Sequence, residues 1–145
     1  MSQSLIHAVL QFTQADDEAQ LRVLEEAMGT ARRESMGVPE FKALLSVFER
    51  FPEDDGYGIF WSIVHLLESC DGYEPSLLES VARSPGEFNV LMVNRLINGG
   101  VNEVSGESLL RVLASVANNP LAVASARTSA QQFIEYQVAN RPTNA

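Results

Sequence analysis

The chain reads as an all-α protein, on three observations. Apolar residues recur three and four apart through nearly its whole length. No segment sustains the apolar–polar alternation of a half-buried strand. Proline, glycine and short polar residues cut the pattern into pieces of helical length. Roughly eight helices result, mostly short, with connections of a few residues. Connections that short favour antiparallel neighbours. The expectation is therefore helices in antiparallel pairs, as a compact bundle or as a short HEAT-like α-solenoid. No internal repeat signature decides between the two.

In chain order, Leu5, Ile6, Val9, Leu10 and Phe12 place a first short helix. A second opens at Asp16-Asp17-Glu18, acids suited to the positive end of a helix dipole. It runs through Leu21, Val23, Leu24, Ala27 and Met28 toward Arg32-Arg33, and Gly37 breaks it. Pro39 fits the first turn of a third helix, which carries Phe41, Leu44, Leu45, Val47 and Phe48 and stops at Pro52. Asp54 or Asp55 caps a fourth, with Tyr57, Ile59, Phe60, Trp61, Ile63, Val64, Leu66 and Leu67. A helix apolar on most of its circumference belongs in the centre, which places Trp61 in the core. Gly72 follows it, and Pro75 starts a fifth with Leu77, Leu78 and Val81. Ser84-Pro85-Gly86-Glu87 turns into a sixth, Phe88 to Ile97, closed by Gly99-Gly100. Ser105 is the expected cap of a seventh with Leu109, Leu110, Val112, Leu113 and Val116. Pro120 separates it from an eighth, Leu121 to about Val138. Together these make one helical domain over residues 1–139 and a flexible tail at 140–145.

A chain of 145 residues with 46% hydrophobic content has the length for a true core. Its net charge of −9 is lopsided. Residues 1–80 hold 15 acids and 5 bases, whereas residues 81–145 hold 4 acids and 5 bases. Such a field repels nucleic acid and anionic membrane and favours a basic partner, although acidity also serves plain solubility. The single cysteine, Cys70, rules out an intramolecular disulfide and fits a reducing compartment. Met1–His7 lacks the basic start of a signal peptide, and no apolar run is long enough to span a bilayer. A cytoplasmic location is expected.

Catalytic motifs are absent. His65 and Glu68 share a helix face, but one such pair is too few ligands for a metal, and a core-edge or interface histidine is the plainer reading. Cys70, between Glu68 and Asp71 at a helix C-terminus, is disfavoured as a thiolate and reads as a structural thiol. Gly56 and Gly58 sit among carboxylates that would repel phosphate, so they serve a tight turn or a close backbone approach. Arg95, flanked by apolar Val93 and Leu96, reads as half of a buried structural pair with an acid of helix four or five. Carboxylates abound, yet nothing marks one pair for acid–base work. No cofactor or metal is expected.

Two acidic–aromatic loops flank helix four. Glu53-Asp54-Asp55-Gly56-Tyr57 precedes it, and Asp71-Gly72-Tyr73-Glu74 follows it. At an interface the tyrosines would anchor and the carboxylates would steer. The candidate contact set is Glu53, Asp54, Asp55, Tyr57, Asp71, Tyr73 and Glu74.

The run from Phe51 through Gly56-Tyr57-Gly58-Ile59-Phe60-Trp61 to His65 carries a resemblance when joined to three later motifs. These are Tyr73-Glu74-Pro75, Ser84-Pro85-Gly86-Glu87-Phe88 and Asn94-Arg95-Leu96-Ile97-Asn98. Together, over about positions 40–100, they resemble the immunity protein 30 family, small helical proteins encoded beside bacterial polymorphic toxins. The resemblance implies a protein that binds and neutralises one cognate toxin domain, without catalysis or cofactor. It carries over no defined contact residues. A helical-repeat adaptor with no toxin partner is the alternative, and a small enzyme using Glu68 and His65 a third. Monomer and homodimer are both open.

Overall fold

The computed structural model describes residues 3–32 and 34–140. Eight α-helices appear among them: α1 Gln3–Gln11, α2 Glu18–Ala31, α3 Val38–Arg50, α4 Ile59–Glu68, α5 Glu74–Arg83, α6 Glu87–Asn98, α7 Leu109–Ala117 and α8 Ala124–Ala139. A single 3-10 turn, Gly56–Gly58, leads into α4. Arg33 and, past Asn140, the expected tail lie outside the described residues.

Each helix starts where its local chemistry allows. Asp17 caps α2, its carboxylate accepting from the amides of Ala19 and Gln20. Glu40 reaches back to the amide of Gly37 at 2.7 Å, and Asn89 does the same for Gly86 at 2.7 Å. Asp55 caps the turn before α4 by accepting from the Tyr57 amide at 3.1 Å. The last carbonyls of α1 find a distant donor: Arg50 gives Nη1 to Phe12 at 2.6 Å and Nη2 to Val9 at 3.1 Å.

Three details differ from the sequence reading. Ser108, not Ser105, caps α7, its hydroxyl accepting from the Arg111 amide. Ser105 and Gly106 both take left-handed backbone and turn a two-residue hairpin between β1 Glu103–Val104 and β2 Glu107–Ser108. A ladder of two residue pairs is too short to leave an alternating signature. Helix α8 begins at Ala124 rather than Leu121, because Asn119 takes the Leu121 amide in a side-chain turn and leaves Leu121 92% exposed.

The packing resolves the choice between bundle and solenoid. Each helix packs on its sequence neighbour as a hairpin and on the helix two ahead as a layer. One layer is α1, α3, α5 and α7; the other is α2, α4, α6 and α8. The molecule is a short two-layer stack of four antiparallel hairpins. One continuous core runs between the layers, from Leu5 and Leu24 to Leu113 and Ala130.

One polar network ties the layers. Glu49 accepts from Nε and Nη2 of Arg83 at 2.8 Å each and from the Ser80 hydroxyl at 2.8 Å. Ser80 in turn accepts from buried Asn89 at 3.1 Å, so α3, α5 and α6 share one satisfied network. Gly86 is required for contact: a Cβ there would stand 2.9 Å from the Phe48 carbonyl oxygen.

Candidate protein-interaction surface

Helices α4, α6 and α8 run parallel within their layer, so their starts share one end of the molecule. The contacts show it. Glu53, just before α4, accepts from Ser125 in the first turn of α8 at 3.4 Å. Glu87 opens α6, and its amide donates to the Pro52 carbonyl at 2.8 Å. Its carboxyl is held above the usual carboxylate range, chiefly by burial and then by repulsion from Glu53 and Asp55. Glu53 and Asp55 from one loop and Glu87 from far along the sequence thus crowd one end, which we term the acidic end.

Beneath it lies an aromatic cluster. The Phe48 and Phe88 rings stack at 5.4 Å, and Phe60 meets Phe12, Phe48 and Phe88 at 6.3, 5.8 and 5.7 Å. This seat holds a strained loop. Gly56, Tyr57 and Gly58 take φ of 57°, 51° and 89°, three successive left-handed residues. Gly56 has no room for a Cβ, which would lie 2.7 Å from the Phe60 ring. Tyr57 does have a Cβ, so its conformation costs about 1 kcal/mol. The result is a tyrosine 73% exposed beside the acids.

The acids at this end keep their charge unmatched. Glu49 is neutralised by Arg83, Glu68 by Arg95, and Arg50 serves the α1 carbonyls. Among the described residues no lysine or arginine forms an ion pair with Glu53, Asp54, Asp55 or Glu87.

The second loop behaves otherwise, and the candidate set must be corrected for it. Asp71 is exposed and Glu74 half-buried, but Tyr73 is only 5% exposed. Tyr73 takes helical backbone at the start of α5, and its side chain joins the core. Burial, then the nearby Glu68 and Glu74 carboxylates, pushes its phenol up to about 12. Tyr73 is a core residue, not a surface anchor. The structure keeps Glu53, Asp54, Asp55 and Tyr57 together and leaves Asp71 and Glu74 at the far end of α4, about 15 Å of helix away.

Trp61 is the opposite correction. It is 39% exposed, on the outer face of α4. Steps of 100° put Phe60, Ile63, Val64 and Leu67 inward and leave Trp61, His65 and Glu68 toward the other side. The indole meets the Phe88 ring edge-on at 5.4 Å, and the Arg95 guanidinium lies 5.7 Å from it. Arg95 also forks onto Glu68 through two bonds of 2.8 Å, the pairing with helix four expected from sequence, but partly exposed rather than buried. His65 is exposed, its ring 6.1 Å from Trp61, so it belongs to this outer strip and not to the core edge. The Cys70 thiol, half-buried, donates to the Leu66 carbonyl at 3.4 Å.

Sequence reasoning missed Glu87, Trp61 and Ser125. Glu87 and Ser125 reach the loop only through the parallel layer, which no local pattern encodes. Trp61 was legible in principle, from its four-residue spacing to His65. Among the described residues no group of three or more His, Cys, Asp or Glu is placed to hold a metal, and no helix is long and apolar enough to cross a membrane. No family model, curated protein or solved structure matches the chain.

Proposed function

We propose that this chain is an immunity protein: a cytoplasmic, non-catalytic antitoxin that binds one cognate toxin domain and occludes its active site or substrate path. The single observation behind this reading is the displayed Tyr57. A left-handed, non-glycine residue is retained with its ring in solvent, beside carboxylates that no cation of the described chain neutralises. Strain kept at an exposed aromatic points toward function. Tyrosine anchors interfaces, and unmatched acids speed encounter with a basic partner. Toxins that act on nucleic acids or nucleotides have reason to carry basic clefts. The motifs of positions 40–100, read from sequence as resembling the immunity protein 30 family, are what suggest a toxin as the partner.

The contact set we assign is Glu53, Asp54, Asp55, Tyr57 and Glu87, with Trp61 on the adjoining strip. The deciding experiment is co-purification with the product of the gene immediately upstream, followed by rescue of growth in a host expressing it. One-to-one capture with rescue would establish the antitoxin. Absence of both would sink it. A second reading, a helical adaptor without a toxin partner, is favoured by the stacked hairpins themselves, an architecture suited to broad binding faces. An unbiased pull-down that returns a non-toxin partner would select it.

A further inference from the structure

The layer of α1, α3, α5 and α7 is unevenly packed: α5 and α7 touch more sparsely than α3 and α5 do. A groove opens in the gap. Leu78 and Val81 on α5 and Val112 and Val116 on α7 form its apolar part, and Ser115 and Asn119 on the α7 side make part of its lining polar. Past Ala82 it continues toward Pro75, under the hairpin turn at Ser105. The two stretches share Leu78, Ala82 and Glu107, so they form one elongated channel, with about 130 Å³ of room in the first and 230 Å³ in the second. Neither stretch alone reaches the roughly 300–1,000 Å³ of a small-molecule pocket, and the room is spread along the groove rather than gathered in one cavity. The shape suits a chain segment that seats a single side chain.

Charge decides what kind of segment. The lining holds two carboxylates, Glu79 and Glu107, and no lysine or arginine. Glu79 has only a loose, solvent-exposed pair with Lys42 at 3.9 Å. No ion pair involves Glu107 among the described residues.

We propose that this groove is a second binding site, for a short extended segment of another protein. One apolar side chain enters between Leu78, Val112 and Val116, and basic residues on either side of it meet Glu79 and Glu107. The site lies in the layer opposite Tyr57 and does not depend on the antitoxin reading. With both sites filled, one molecule would hold two partners.

The test is an NMR titration of the isotope-labelled full chain with an acetylated, amidated pentapeptide of one leucine between two lysine pairs. Saturable shifts at Ala82, Val112 and Val116 are expected. Replacing the leucine with serine should weaken binding about tenfold or more, the cost of an unburied leucine. Ala82→Trp, at an exposed position that fills the channel, should weaken binding by at least about tenfold while circular dichroism stays unchanged. Three results would overturn the site: shifts that do not saturate, shifts confined to Tyr57 and Glu87, or equal binding by the Ala82→Trp variant. The last two also separate plain attraction of lysines to the acidic end from recognition in the groove.

Discussion

The loops at the two ends of α4 have nearly the same composition and opposite fates. Each joins acids, a glycine and a tyrosine. In the first, Tyr57 sits between two left-handed glycines, and its ring points into solvent. In the second, left-handed Gly72 comes first and Tyr73 already has helical backbone, so its ring turns into the core. What separates them is where the chain re-enters regular helix. A tyrosine before that point is displayed; a tyrosine at that point is packed.

The largest expected effect breaks the packed side of this comparison. Tyr73→Ala should cost about 3 kcal/mol, in line with other buried aromatics cut to alanine. Urea denaturation measures it, and partner affinity per folded molecule should not change. The phenol adds a pH signature. Its folded pKa is raised, so the associated stability is complete below the unfolded value of about 10 and is lost as pH rises through about 12. A tyrosinate absorbance titration should show one late step, absent in Tyr73→Phe.

Next comes the displayed side. Tyr57→Ala should cost about 2 kcal/mol of partner affinity, as an anchoring residue does, while changing stability by no more than about 0.5 kcal/mol. A stability loss as large as that of Tyr73→Ala would erase the distinction. Reversing Glu53 and Asp54 to lysine should slow association about tenfold and flatten its salt dependence. The same change at Asp71 should do neither. Stopped-flow kinetics at two ionic strengths would tell them apart.

Smaller effects sharpen the picture. Tyr57→Gly relieves the left-handed strain and should raise stability by up to about 1 kcal/mol as partner affinity falls. Glu87→Gln tests the crowding of acids. The folded pKa of Glu87 is raised, so its charged form is a cost above that pKa and none well below it. The variant should therefore be the more stable one near neutral pH, by less than about 1 kcal/mol, and the gain should vanish as pH falls through the carboxylate range. Thermal melts across that range would read the sign.

The helices were largely legible because their signals are local. Asp17 caps α2 as its type dictates, and Pro39 and Pro75 sit in first turns; Asp55 caps the 3-10 turn that leads into α4, whereas α4 itself starts after Gly58 and leaves Tyr57 outside it. The partner of Arg95 was legible too, to within a choice of helix. Illegible features depended on distance along the chain or on competition between neighbours. Ser105 and Ser108 are both fit to cap α7, and the hairpin awards the role to the second. The meeting of Glu53, Asp55, Glu87 and Ser125 follows from three helices lying parallel, which hydrophobic spacing leaves open. Tyr73 misled because composition says acidic loop, whereas one step in backbone conformation says core.

The stack of hairpins also has a consequence in time. Each hairpin touches chiefly its neighbours, so most contacts span few residues, and chains of that kind fold in microseconds to milliseconds. Ribosomes add only about 5–20 residues per second. Hairpin after hairpin should therefore close while the chain is still emerging. Glu53, Asp55, Tyr57 and Glu87 all precede the end of α6, so these four need only the first three hairpins, and Ser125 of α8 joins them last. A nascent chain would carry the proposed contact surface before its last helices were made.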